Sequence, residues 1–146
     1  MRCRSILRNS MPRMSEKIRE VQSSDEKEII LLYKTYVEKI GQARKLEEIL
    51  DFAVAHATDE HKKRVMKRRA QCAKLSAEDY EHTLMLEKLM VPVFSESEFV
   101  VQVNADCAKL FITSLNQWKG YVEFRKVERA WKFDGGLVWD RMPHWE

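Results

Sequence analysis

The chain is poor in the residues that break or staple a fold. Its 146 residues include 4 glycines, 3 prolines and 3 cysteines. So little Gly and Pro excludes collagen-like and low-complexity order. Cys3, Cys72 and Cys107 are odd in number, far apart and in no CxxC spacing, which argues against a disulfide framework or a zinc site. Cys72 and Cys107 sit among apolar neighbours and read as small core residues. The longest apolar run, Leu89–Phe94, contains Pro92 and is far short of the ~20 residues that span a membrane. No nucleophile elbow, phosphate-binding loop or dinucleotide fingerprint occurs. His56 and His61 are too far apart in sequence for the HExxH pattern, so no metal and no cofactor is expected.

What is present suits one globular domain. The chain is 45% hydrophobic and 34% charged, with a formal net charge of +3. Its length is enough to bury a core without metals or cross-links. With so weak a net charge, any anion binding must come from local clustering.

Residues 1–22 lack sustained periodicity and read as a basic, disordered tail. Arg2, Arg4, Arg8 and Arg13 all precede the first acid, Glu16. That composition fits either a plain basic leader, with Met11 or Met14 as alternative starts, or an organelle transit peptide. The corresponding locations are cytoplasmic and, in the alternative, the mitochondrial matrix. Residues 5–7 are too poor a hydrophobic region for a secretory signal.

From residue 23 to 146 the pattern predicts a single domain. Ser23 and Glu26 form a capping box. Ile29, Leu32, Tyr33, Tyr36, Val37 and Ile40 then recur at helical spacing, and Gly41 is expected to end that helix. A second helix carries Leu46, Ile49, Leu50 and Ala53 on one face. Thr58 is placed to cap a third, and Ser76 with Asp79 marks the start of a fourth, which ends before Pro92. Near Phe99 the apolar period falls from about four to two. Alternating segments follow at 99–103, 108–113, 122–125 and 131–134, separated by Asn104-Ala105-Asp106, by a loop holding Leu115 to Trp118, and by Glu128-Arg129. Short connections imply an antiparallel meander, because parallel pairing needs a long crossover. The preceding helices are the available cover for one sheet face.

This order of elements resembles the nuclear transport factor 2-like superfamily, the cystatin-like cone fold. The likeness covers about residues 25–136. It is carried by "LLYKTYVEKIGQARKLEEILDF" as an opening helix, break and second helix, by "KLSAEDYEHTLMLEKLM" as the helix before the sheet, and by "GYVEFRKVERAWKFDGG" as the final hairpin. The resemblance implies an α+β fold: N-terminal helices packed on a bent four-stranded antiparallel sheet, cone-like, with a cavity at the wide end. It also implies a binding domain or a small isomerase- or dehydratase-like enzyme, often dimeric. The catalytic Asp/His or Tyr/Asp pairs of the enzymatic branches have no clear counterparts, and the Trp-rich stretch "LVWDRMPHWE" extends beyond the last family strand.

The expected function is therefore non-enzymatic binding of a small apolar ligand or a protein segment, in a homodimer formed through the sheet face. The candidate cavity residues are Tyr33, Tyr36, Trp118 and Trp131, although the core is the simpler place for Trp131. Tyr33, Tyr36, His56, Asp106 and Asp134 are the candidates for acid–base work, with Asp134 and the histidines also explicable as turn, cap or surface residues. Anion or nucleic-acid binding is an alternative, resting on the basic stretch 61–74, with Lys63, Arg64, Lys67 and Arg68 on neighbouring faces. A solvated helix face is the simpler account of that stretch, and no groove-reading motif accompanies it. Trp139 and Trp145 are costly to leave in water, so the tail is expected to fold back over the cavity or to form a subunit interface.

Overall fold

Helical spacing over the first half of the chain produces four helices, and the switch to alternation produces strands. A computed structural model describes residues 24–89, 97–114 and 119–141. The helices are α1 (Ser24–Gln42), α2 (Leu46–Ala55), α3 (Asp59–Cys72) and α4 (Ala77–Leu89). The strands are β1 (Glu98–Asn104), β2 (Cys107–Thr113), β3 (Lys119–Val127), β4 (Ala130–Phe133) and β5 (Val138–Arg141). The protein is α+β, with its helices packed against an open antiparallel sheet.

Local chemistry sets several boundaries. Thr58 has an extended backbone, and its side chain accepts a hydrogen bond from the His61 amide at 3.3 Å, the expected cap of α3. Ser76 Oγ accepts from the Asp79 amide at 3.1 Å at the start of α4. Gly41 does not end α1: the helix continues to Gln42, and no described glycine has a positive φ. A distant side chain caps this end instead. The Lys88 ammonium donates to the Ala43 carbonyl at 2.7 Å, satisfying a group that local sequence leaves open. Ser23 and Pro92 lie outside the described residues.

The sheet runs β1-β2-β3-β4, each strand antiparallel to its neighbour. Four strands set its width, as expected. A fifth, β5, pairs with the first part of β3, which β4 leaves free, so part of the Trp-rich tail extends the edge. Trp139 stands opposite Gly120 in that pairing. Two of the tight turns use left-handed backbone. Ala105 has φ 56°, and Glu128 and Arg129 have φ 50° and 71°, the two-residue geometry that matches hairpin twist.

The inner sheet face and one face of α1 form the main core. Ile29, Tyr33 and Val37 pack on Leu110, Ile112, Val122, Phe124, Trp131 and Phe133. A second core joins the helices to one another through Ile40, Leu46, Ile49, Leu50, Val65 and Leu84. Each such side chain, buried in full, contributes about 1.5–3 kcal/mol. Cys72 is a free thiol in the second core. Cys107, at the start of β2, is half-buried rather than in the core. On the outer face, the centre of β2 is already covered. Phe111 is 3% exposed and Lys109 2%, with the Lys109 ammonium 4.4 Å from the centre of the Tyr121 ring. Among the described residues, no helix is long and apolar enough to cross a membrane.

Candidate ligand cavity

Two adjoining cores leave a space where they fail to meet. A cavity of about 410 Å³ lies between the helices and the inner sheet face. That falls in the size range of small-molecule sites. One wall is apolar and aromatic: Tyr33, Tyr36, Ile40, Val122 and Phe133, with Ala53 of α2 beside them. The other carries His61, Arg68 and Glu87, and the segment Gly135–Leu137 closes one side.

Helical geometry explains the polar end. His61, Val65, Arg68 and Cys72 follow one another at steps of four, three and four, which places them on one face of α3. Val65 and Cys72 are buried in the helix core, so that face turns inward and takes His61 and Arg68 with it. From α4, Glu87 meets Arg68: the Nη2 donates to Glu87 Oε1 at 3.2 Å. Both side chains keep contact with solvent, at 47% and 27% exposure, so the pair is worth little to stability.

Burial tunes the titratable groups. It pushes the Tyr36 hydroxyl up to about 12, with the nearby Glu87 carboxylate adding to the shift and Arg68 opposing it. Burial raises Tyr33 further. His61 is held below its ordinary value, mainly by burial and then by Arg64, with Asp134 pulling the other way. Its Nδ1 is enclosed and has no hydrogen-bond partner. The imidazole is therefore neutral near pH 7, with one ring nitrogen to donate and one to accept.

A polar lattice anchors the start of α3 to the sheet. Thr58 Oγ1 donates to Asp134 Oδ1 at 2.7 Å, and Arg125 pairs with Asp134 Oδ2 at 3.4 Å. The Thr58 amide donates to the Phe133 carbonyl at 2.9 Å, and the Phe133 amide to the His56 carbonyl at 2.7 Å. Asp134 is thus engaged in positioning, and it fixes the α3 terminus that carries His61.

The sequence candidates fall in different places. Tyr33 and Tyr36 line the cavity, with ring centres 6.5 Å apart, and Tyr36 lies 5.4 Å from Phe133. Trp131 is 3% exposed in the main core, near the start of α1. Trp118 and Trp145 lie outside the described residues. His56 caps α2, its ring tilted against Phe52 with centres 4.4 Å apart. Asp106 sits in the exposed β1–β2 turn, where its carbonyl accepts from the Lys126 amide at 2.8 Å. Lys63, Arg64, Lys67 and Arg68 are all exposed on α3, yet only Arg68 also lines the cavity. Among the described residues, Lys62, Lys63, Arg64 and Lys67 form no ion pair. Sequence reasoning did not assign His61 and Glu87 to the cavity. The spacing of His61 with Val65, Arg68 and Cys72 was a legible signal, whereas Glu87 had none. Among the described residues no cluster of His, Cys, Asp and Glu is arranged to hold a metal ion. No protein-family model, curated protein or solved structure matches the chain.

Proposed function

We propose that the protein is a small-molecule-binding domain of the nuclear transport factor 2-like type, with the cavity between α1 and the sheet as its site. The observation that carries this reading is the cavity's composition. An apolar and aromatic wall gives a ligand its burial, and a few convergent polar groups give it orientation, the usual division in binding pockets. Helices followed by an antiparallel sheet, with a cavity beneath the inner sheet face, support the family assignment. The function lies in binding rather than catalysis: Glu87 is held by Arg68, and Asp134 is engaged with Thr58 and Arg125.

A second reading has one specific observation in its favour. His61 lines the cavity with an unpartnered, enclosed Nδ1 and lowered basicity, as suits a general base in an isomerase- or dehydratase-like reaction. The homodimer and the cytoplasmic location belong to the same proposal. Light scattering on a concentrated sample decides the first and cell fractionation the second.

The direct test uses naphthalene methanol, a neutral aromatic probe, followed by ligand-observed NMR. Binding to the wild-type chain is expected, with loss in Ala53→Phe, which fills the cavity from α2. Leu137→Trp is a second filling variant at a half-buried position. Binding that survives both substitutions in folded protein removes the cavity from consideration.

A further inference from the structure

We infer that the cavity selects a monocarboxylate with an aromatic or apolar body, its carboxylate held by Arg68; this rests on the ligand-binding reading above. Arg68 is the one Lys or Arg side chain lining the cavity among the described residues. Its guanidinium presents five donors in a planar fork. Glu87 takes a single contact, through one Nη2 proton, so among the described residues one of the two parallel donor pairs, Nε/Nη2 or Nη1/Nη2, stays open. That fork is the geometry a carboxylate fills with two oxygens.

The surrounding charges point the same way. Among the described residues, Lys62, Lys63, Arg64 and Lys67 form no ion pair on the same helix, and their charges favour an approaching anion. Asp134, beside the start of α3 near His61, is already paired with Arg125 and hydrogen-bonded to Thr58. His61 adds a neutral donor at the same end, so it can bind a carboxylate oxygen without a second buried charge. A cationic head group would have only Glu87 to meet, with Arg68 beside it.

The rest of the wall limits the ligand to one charge. Tyr33, Ile40, Val122 and Phe133 offer no cation for a second acid group, and burying an unpaired charge there is costly. Phosphate fits less well, because its second charge would fall close to Glu87. The tilted rings of Tyr36 and Phe133, with centres 5.4 Å apart, give the wall aromatic surface that suits a flat ring as the ligand's body.

Three probes of one shape separate the possibilities: naphthoate, naphthalene methanol and naphthylmethylamine, each titrated by calorimetry. Naphthoate is expected to bind about ten-fold tighter than the alcohol, the value of one charge-assisted pairing. Arg68→Gln should bring the two affinities together, and Glu87→Gln should raise naphthoate affinity by removing its competitor. An alcohol or amine that binds as tightly as naphthoate, or a preference that survives Arg68→Gln, overturns the inference. If the alcohol binds and Ala53→Phe removes it while naphthoate gains nothing, the cavity reading stands and this inference falls. If no probe binds, both fall.

Discussion

Trp131 and Asp25 are separated by 106 positions, and the Trp131 indole Nε1 donates to Asp25 Oδ1 at 2.9 Å. The same carboxylate oxygen accepts from Lys126 Nζ at 3.1 Å. The Trp131 amide donates to Glu28 at 3.1 Å. The first turn of α1 is thus pinned to the β3–β4 hairpin. This contact sets where α1 crosses the sheet, and with it the placing of Tyr33 and Tyr36 over the cavity.

Removing that pin should make stability less sensitive to acid. The two hydrogen bonds, from Trp131 and then Lys126, hold the Asp25 carboxyl below its ordinary value. Because the unfolded chain binds the proton first, the stabilisation is complete above the ordinary carboxylate range and is lost as pH falls through the native value. Asp25→Ala should lower the melting temperature at neutral pH and leave little difference at strongly acid pH. An unchanged gap across that range would refute the assignment.

The β3–β4 turn carries avoidable strain. Glu128 and Arg129 both occupy left-handed backbone, which costs an L-residue with a Cβ roughly 1–2 kcal/mol. Glu128→Asn with Arg129→Gly supplies the residues that such a turn prefers. The double variant is expected to gain roughly 1 kcal/mol in urea denaturation. A loss of stability would show that one of the native side chains contributes more than its backbone costs.

His61 gives the protein a second pH dependence, on the mildly acid side. Its native value lies below the ordinary 6.5, so the unfolded chain takes up a proton first. The stabilisation is complete above about 6.5 and declines as pH falls through the native value. His61→Gln should flatten this part of the stability profile. In NMR titration, the His61 ring should protonate below the ordinary imidazole value of 6.5. Protonation at that ordinary value would mean that the imidazole is open to solvent.

Much of the fold was legible from spacing. Apolar residues at three- and four-residue steps marked α1, and alternation from Phe99 marked β1 to β4, because burial on one face demands those periods. Thr58 and Ser76 announced their helices because capping is local chemistry. Gly41 misled because the end of α1 is satisfied by Lys88, which lies 45 positions away from Ala43. The strand β5 was missed because it pairs with a part of β3 that no local pattern identifies as free.

The sequence alone determined the helical and extended segments, their order, and the two tyrosines facing the core, since periodicity is a property of neighbouring residues. The tertiary structure alone decided that the α3 face carrying Arg68 borders a cavity, and that Glu87 meets Arg68 there. Its neighbours on α3 have the same charge and nearly the same exposure to view in a linear reading. What separates them is the direction of α3 against α2 and α4, set by the packing of Val65, Cys72 and Leu84. A cavity is the space that such packing leaves unfilled, and so it is written in the contacts between elements rather than in any one of them.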